Sequence, residues 1–466
     1  MTFDKKLDLT KHKLPLQPFI DGKFVDTVGQ ELHELVSSVN DQVITQGNAS
    51  AATPRCTGQI WFSLTENGPK LHWLEAFLTG KDSHGSGFET GALGEIFSYY
   101  AHAMTNYRTD VIRREDDNLT ITVREPYGIT AGFCPFNAPL GIYATKTAAS
   151  LAAGNVIIIK ASEANPFSTL FAVSLAAQAG IPDGAIQCVT GGIEVGKAIA
   201  VHPLIRKLSF TGSIAAGKAI QVEAAKSNLK SVTLELGGKS PVVIFPDADL
   251  DKAAETIASQ LFVFNAQICV TGSRIYAHES IMDELVAKMK AVVDAHARVR
   301  IPGADPTDPG TLWSPLFNHK QHEIVKGFLA DLDKESTVVT GGKPASDKGC
   351  YVEPTIVRDP VPGARVEREE IFGPILTVAK FSSEEEALDK ANNTETGLTA
   401  TVWTKDFGRI LRFSRRMEAG VVQVNKGSYF DVNAPFGGWK QSGQGVECGT
   451  EGLNDWTQAK TISIGV

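Results

Sequence analysis

Between Gly141 and Phe245 the chain alternates short β-branched runs with small-residue stretches of helical periodicity. This is the pattern of a parallel sheet covered by helices. Val156 to Ile159 reads as a buried strand, and Asn165-Pro166 as the cap and first residue of an apolar-periodic helix ending at Gly180. Ile186 to Val189, a helix after Gly192, Leu208 to Phe210 and a helix opening at Ser213 continue the alternation. Val232 to Leu236 and Val242 to Phe245 read as further strands, and Asp249 begins a long helix. Together they predict a doubly wound α/β domain.

A second alternating set follows Ala277 and runs to about Asn425, without repeating the first, so a second α/β core is expected. Two Thr- and Ile-rich segments, Leu119 to Val123 and Thr461 to Ile464, alternate like strands outside both cores and are candidates to pair as an arm. Ser37 to Lys70 breaks the pattern, with a Thr-, Gly-, Asn- and Pro-rich run and no clear helical period.

Length supports this division, because 466 residues exceed what one ordinary core organises. With 42% hydrophobic and 21% charged residues, the chain is expected to fold. The net charge of -8 comes without a basic stripe, which argues against nucleic acid as a partner. No apolar run reaches the length of a signal peptide or membrane span, so the expected compartment is the cytoplasm. Six cysteines lie far apart, with neither C-x-x-C nor a histidine at zinc-finger spacing, and predict reduced thiols and no metal site.

Two segments, Gly191 to Lys197 and Gly212 to Lys218, match G-x-x-x-x-G-K, but Ala198 and Ala219 follow where a magnesium-binding hydroxyl belongs. A P-loop phosphotransferase is therefore disfavoured. The strand end Phe210-Thr211-Gly212-Ser213 before a helix still offers backbone amides and a positive dipole end to an anion, or is simply a strand-to-helix turn. Cys269 follows an apolar helix in a polar, small-residue turn, with Arg274 just beyond, a setting that suggests an exposed thiol and a stabilised thiolate. Alone, such a cysteine is more often a small core residue. Glu235 stands between Leu234 and Leu236 ahead of two glycines, either as a salt-bridged strand residue or as a general base at a strand end.

Leu234-Glu235-Leu236-Gly237-Gly238-Lys239-Ser240-Pro241 and Gln267-Ile268-Cys269, with 34 residues from Glu235 to Cys269, resemble the paired signature of the aldehyde dehydrogenase superfamily. Pro135-Phe136-Asn137-Ala138-Pro139, Lys160-Ala161-Ser162-Glu163, Phe210-Thr211-Gly212-Ser213, Glu370-Ile371-Phe372-Gly373-Pro374 and Pro435-Phe436-Gly437-Gly438 fall in that family's order, from about Leu78 onward. Ala266 and Ala161 depart mildly, standing where Gly and Pro are common.

The resemblance implies a Rossmann-like dinucleotide-binding domain (1–107 and 127–237), a catalytic α/β domain (238–441) and a β-strand oligomerisation arm (108–126 and 455–466). It implies an NAD-dependent oxidation of aldehyde to acid, with NADP left open. Cys269 would be the nucleophile, Asn137 and the Cys269 amide the oxyanion donors, and Glu235 the base for thioester hydrolysis, which argues against the coenzyme-A-acylating branch. Lys160 and Glu163 would meet the adenosine ribose, Thr211, Gly212 and Ser213 the pyrophosphate, and Glu370 and Phe372 the nicotinamide riboside. Glu163 favours a ribose hydroxyl over a phosphate. Glu447 would be a proton relay near the thiol, or a salt-bridged surface residue.

Family pocket positions fall on Ala138, Gly141, Ile142, Thr145, Ile268, Val270, Phe430 and Phe436, small or apolar residues that suit an uncharged aldehyde in a roomy pocket and most resemble the aromatic-aldehyde branch. The implied assembly is a homodimer or homotetramer, since unpaired edge strands seek partners. The rival reading is a folded, catalytically impaired relative serving as a binding or scaffold protein, for which the Ser37 to Lys70 segment speaks.

Overall fold

The computed structural model describes residues 17–24, 33–36, 43–47, 64, 66–103, 110–115, 118–179, 181–299, 301–332, 336–427 and 430–465. Most of Ser37 to Lys70, the Gly180 helix end and the expected boundary at 107–108 lie outside them.

Two parallel sheets dominate. The first runs, in spatial order, Lys23–Phe24, Phe19–Ile20, Ile186–Thr190, Val156–Ala161, Ile129–Phe133, Lys207–Thr211, Ser231–Glu235 and Gly443–Gln444. Its five central strands are mutually parallel, and the short edge strands join antiparallel. Side chains leave a strand on alternate faces, and this sheet is covered on both. Ile157, Ile159 and Cys188 point into a core completed by Leu93, Tyr100, Tyr143 and Leu170. Ala131, Leu208, Phe210 and Leu234 face a second core completed by Ile199 and by Ile214 and Ile220 of the helix Ile214–Ser227. Apolar runs without polar alternation follow from this double burial.

The second sheet runs Thr337–Thr340, Thr355–Arg358, Ile375–Phe381, Gly272–His278, Ser240–Ile244, Thr399–Trp403 and Val421–Val424. All but the first of these are parallel. Val242, Ile244, Ile275 and Ala277 pack on the helices Leu250–Ser259 and Met282–Val299, while Val243, Tyr276 and Val402 pack on Leu388 and Phe413 from helices on the other face. The first sheet is therefore doubly wound, as predicted, and the second, expected only as a further α/β core, is covered on both faces as well.

The two outlying segments do pair. Thr457–Gly465 lies antiparallel to Asn118–Pro126 in unbroken register, with Thr461 opposite Thr122, and Asp110–Glu115 adds a third strand. Ser213 caps its helix, accepting from Ala216 N at 3.3 Å. Three expectations need correction. Val242 to Phe245, read with the first alternating set, begins in a strand of the second sheet, Ser240–Ile244, between Gly272–His278 and Thr399–Trp403. The helix opened by Asp249 ends at Ser259, because the chain turns through a 3-10 segment at Val263–Ala266 to reach Cys269. Pro166 is the position before the helix Phe167–Gln178, its carbonyl accepting from Leu170 N at 2.9 Å.

Candidate active site

The two sheets meet end to beginning. The carboxyl ends of first-sheet strands deliver Lys160, Thr211 and Glu235, the usual place for ligand groups in an open parallel sheet. The second sheet contributes the turns that precede its strands: Gly237 and Gly238 before Ser240, Cys269 before Gly272, and Glu370 to Phe372 before Ile375.

These turns are packed backbone against backbone. A Cβ on Gly238 would stand 2.7 Å from Cys269 O, and one on Gly237 would stand 2.0 Å from Glu370 Oε2. The Gly238 contact is with backbone and admits no side chain, whereas at Gly237 a side chain would have to displace the Glu370 carboxylate. Glu370 Oε1 accepts from Gly238 N at 3.1 Å, and burial pushes its carboxyl up to about 7.

Cys269 sits beyond an unusual turn. Phe264, Asn265 and Ala266 have φ of 51°, 52° and 55°, three consecutive left-handed residues, each costing about 1 kcal/mol. Ala266 thus occupies a conformation that glycine adopts freely. Gln267 holds the turn: its Nε2 donates to Phe264 O at 2.9 Å and its Oε1 accepts from Phe317 N at 2.9 Å. Its carbonyl accepts from Asn137 Nδ2 at 2.7 Å, which brings the carboxamide to the cysteine turn.

The electrostatics of the thiol differ from expectation. Burial pushes Cys269 up to about 12, with the charges of Glu370 and Glu235 acting in the same direction. Arg274 offers no relief, because it is buried and spends its donors on the carbonyls of Lys239, Lys390 and Ala391 and on Tyr276 Oη. The resting residue is half-buried and a neutral thiol, rather than an exposed thiolate.

Glu235 is 4% exposed, and among the described residues neither carboxylate oxygen meets a hydrogen-bond partner. Burial first, then the charge of Glu447, hold its carboxyl well above the usual range, while Lys146 opposes them. A salt-bridged strand residue is thereby excluded. Glu447 is likewise no surface residue. Its Oε1 lies 2.5 Å from Lys146 Nζ and accepts from Ser209 Oγ at 2.8 Å, all three residues being buried.

The strand end Phe210-Thr211-Gly212-Ser213 does run straight into a helix. Thr211 Oγ1 is buried without a partner among the described residues, and Ser213 opens a fourteen-residue helix. Lys160 Nζ pairs with Glu163 Oε2 at 2.6 Å beyond the end of the strand Val156–Ala161. Gly212 is covered by the Phe210 ring, which a Cβ would strike at 2.6 Å. The two phosphate-loop lookalikes do not build a cradle: Lys197 pairs with Glu194 at 2.7 Å and Lys218 donates to Gln441 Oε1 at 2.5 Å.

Of the pocket positions, Ile142 and Phe430 pack against the first core, and Phe430 meets Phe436 edge-on at 6.1 Å. Ala138 precedes the helix Pro139–Ala152, and its carbonyl accepts from Ile142 N at 3.1 Å. Gly141 N donates to buried Glu89, and Thr145 is buried in the same helix. Ile268 and Val270 flank the thiol, half-buried.

Sequence reasoning missed several residues. Phe136 stacks on Phe317 at 4.4 Å and meets Phe372 edge-on at 5.9 Å, joining three distant turns. Gln321 Nε2 donates to the carbonyls of Ile371 and Phe372, both at 2.9 Å. Lys146 belongs with Glu447; its one signal is a cation within the apolar, small-residue helix Pro139–Ala152.

A doubly wound sheet whose strand ends carry Lys160, Thr211 and Glu235 beside a cysteine turn suits an α/β enzyme that takes its ligand at those ends. The family model described as "Aldehyde dehydrogenase family" matches residues 57–462, and the chain belongs to that family. "Aldehyde dehydrogenase 1" of Tanacetum cinerariifolium is 36% identical over 96% of this chain and 94% of its own. Among solved structures, PnpE from Pseudomonas sp. WBC-3 is 33% identical over 97% of both chains, with a TM-score of 0.90. The P. syringae indole-3-acetaldehyde dehydrogenase AldA, a cysteine-to-alanine variant solved with NAD+ and IAA, is 30% identical over 98% of both chains, with a TM-score of 0.92. This chain is an oxidoreductase acting on the aldehyde group.

Proposed function

We propose that the chain oxidises an uncharged, preferably aromatic aldehyde to the free acid with NAD, through a thioester on Cys269. The observation that carries this reading is the junction itself, where Asn137 reaches the cysteine turn through Gln267 and an unpartnered, buried Glu235 faces the same region. An aldehyde cannot readily give up hydride until a nucleophile has added to it, and Cys269 Sγ is the nucleophile beside the oxyanion donors Asn137 Nδ2 and Cys269 N–H. With its thiol pushed up to about 12, Cys269 gives its proton to solvent water as the S–H bond breaks and the bond from sulfur to the aldehyde carbon forms. Glu235 then takes a proton from the water that cleaves the thioester, and its unpartnered oxygens leave it able to do so.

The residues at hand fit the dinucleotide. Thr211 Oγ1 and the helix opened by Ser213 suit the pyrophosphate, Lys160 and Glu163 a ribose hydroxyl pair, and Glu370 and Phe372 the nicotinamide riboside. The nicotinamide supplies the acceptor for the hydride. Glu163 beside Lys160 disfavours a 2'-phosphate, so NAD is preferred over NADP. Ala138, Ile142, Ile268, Val270, Phe430 and Phe436 supply an apolar wall and two aromatic edges but no cation, which supports the choice of substrate.

The sheet with the carboxyl-end anion corner is the dinucleotide-binding domain in this reading, the second sheet the catalytic domain, and the three-stranded ribbon the oligomerisation arm. Exposed Val111 and Ile112 on the ribbon's edge strand support a dimer or a pair of dimers. The five described cysteines form no disulfide, which favours the reducing cytoplasm; among the described residues no helix is long and apolar enough to cross a membrane. The test is NADH absorbance with aliphatic, aromatic and charged aldehydes, compared as kcat/KM. Aromatic aldehydes should lead and charged ones trail; equal turnover of charged aldehydes overturns the substrate assignment.

A further inference from the structure

The helix His319–Ala330 opens with two histidines one turn apart, a spacing that places both rings on one face. Its first turn is fixed by Asn318, whose side chain accepts from Gln321 N at 2.9 Å. The chain later returns to set Cys350 against this turn, and Leu316 N donates to Cys350 O at 2.8 Å, tying the cysteine segment to the residues that lead into the helix. The ligand atoms of His319, His322 and Cys350 all lie within 4.8 Å of one another.

We propose that His319, His322 and Cys350 form a binding site for a zinc-class divalent ion. The donor set is two imidazole nitrogens and one sulfur, the preference of a borderline-soft ion and not of calcium or magnesium. Zinc bonds of about 2.0 to 2.3 Å place tetrahedral ligand atoms roughly 3.3 to 3.8 Å apart, so closure needs side-chain movements of about 1 Å or less. Burial is graded across the site: Cys350 is fully enclosed among Leu316, Val325 and Phe328, His322 is 9% exposed, and His319 is open to solvent. Three protein ligands with an open side leave a fourth position for water.

The positive end of a helix opposes a cation, and the cysteine answers that cost. On binding, the Cys350 S–H bond breaks, its proton goes to solvent and the thiolate pair forms the bond to the ion, so the net charge added at the helix end is one unit rather than two. A core thiol beside a single histidine would carry no such argument; two imidazoles converging on it from one helix turn do. The site lies behind Gln321, which holds the Ile371 and Phe372 carbonyls, and it shares no residue with the thiol turn. It is therefore testable with the other reactive cysteine removed.

Chelator-treated full-length Cys269→Ala protein is titrated with zinc by calorimetry and with cobalt by absorbance. The proposal expects one zinc per chain, a zinc-dependent rise in Tm, and a thiolate-to-cobalt charge-transfer band in the near ultraviolet. His319→Gln, a solvent-facing change, should weaken zinc at least tenfold, and Cys350→Ser should abolish the cobalt band. Should Cys350→Ser fail to fold, the band in the Cys269→Ala parent and its loss in His319→Gln/His322→Gln decide the matter. No zinc uptake, no charge-transfer band in the parent, or undiminished uptake in the double histidine variant would each overturn the site.

Discussion

The two parallel sheets share an architecture and differ in where they place their chemistry. The first sheet carries polar groups at its strand ends, Lys160, Thr211 and Glu235, while four parallel strands of the second end in Ile244, Phe381, Trp403 and Val424, and the other two in His278 and Arg358, away from the cysteine turn. What the second sheet offers lies before its strands begin, at Gly237-Gly238, Cys269 and Glu370. Two sheets of the same kind thus make one cleft from opposite strand ends. A parallel sheet has reactive potential at both ends, and the neighbouring domain decides which is used.

Substitutions at the junction should therefore alter kinetics with little loss of stability, and substitutions at the far end of the second sheet should do the reverse. The largest effect is expected from Cys269→Ala, with turnover falling on the order of 10⁴-fold or more. Steady-state NADH formation together with Tm is the check, and retained turnover would break the comparison at its centre. Glu235→Gln should lower turnover about 10²- to 10⁴-fold while sparing the first NADH burst, because acylation precedes the step it serves. Stopped-flow traces with a full burst and a slow steady state are the expected record.

The same residue carries a pH signature. Its carboxyl in the folded chain stands well above the ordinary 4.5, so the folded state keeps the proton longer than the unfolded one. Stability from this site is complete below about pH 4.5 and declines as pH rises through the folded value, whereas deacylation accelerates over that range. Denaturation midpoints against pH should show that decline in the parent and lack it in Glu235→Gln. Asn137→Ala removes one oxyanion donor and one tie to the cysteine turn, and should cost about 10²- to 10³-fold in kcat with a smaller change in aldehyde KM. The smallest kinetic effect belongs to Phe381→Ala. It empties a core shared with Phe245, destabilising the chain by about 3 to 5 kcal/mol, while kcat per folded molecule stays put.

The contrast between the two ends also explains what could be read from the sequence. Alternation and caps are local, so five strands from Val156 to Phe245, the Ser213 cap and even the pairing of the two Thr-rich segments were legible, while Ile129–Phe133 and Gly272–His278, short runs mixed with Gly, Ser, Thr or Arg, were not. Glu235 was conspicuous for the same reason, since a carboxylate among leucines breaks a pattern. The state of the Cys269 thiol was not, because it depends on Glu370, a hundred residues downstream, and on where Arg274 turns after the strand begins. The partners of Glu447 are Lys146 and Ser209, again distant in sequence. The approach of His322 to Cys350 was out of view for the same reason, since the two meet only after the chain has folded back. For Ser37 to Lys70, the described part shows a strand at Val43–Gly47 and the helix Gly68–Thr79 packing Leu71 into the first core.

The ribbon that joins Asn118–Pro126 to Thr457–Gly465 also sets an order of events during synthesis. Asn155 Nδ2 donates to Trp456 O at 2.9 Å, and Lys207 Nζ pairs with Asp455 at 2.6 Å, so polar groups of the first sheet wait for the segment translated last among the described elements. At about 5 to 20 residues per second, the ribosome needs tens of seconds to supply it. Until then Lys207 has only the hydroxyls of Ser231 and Thr233 and Asn155 only Gly128 and Ser150, and the late segment acts as a latch that brings the carboxylate and carbonyl they lack.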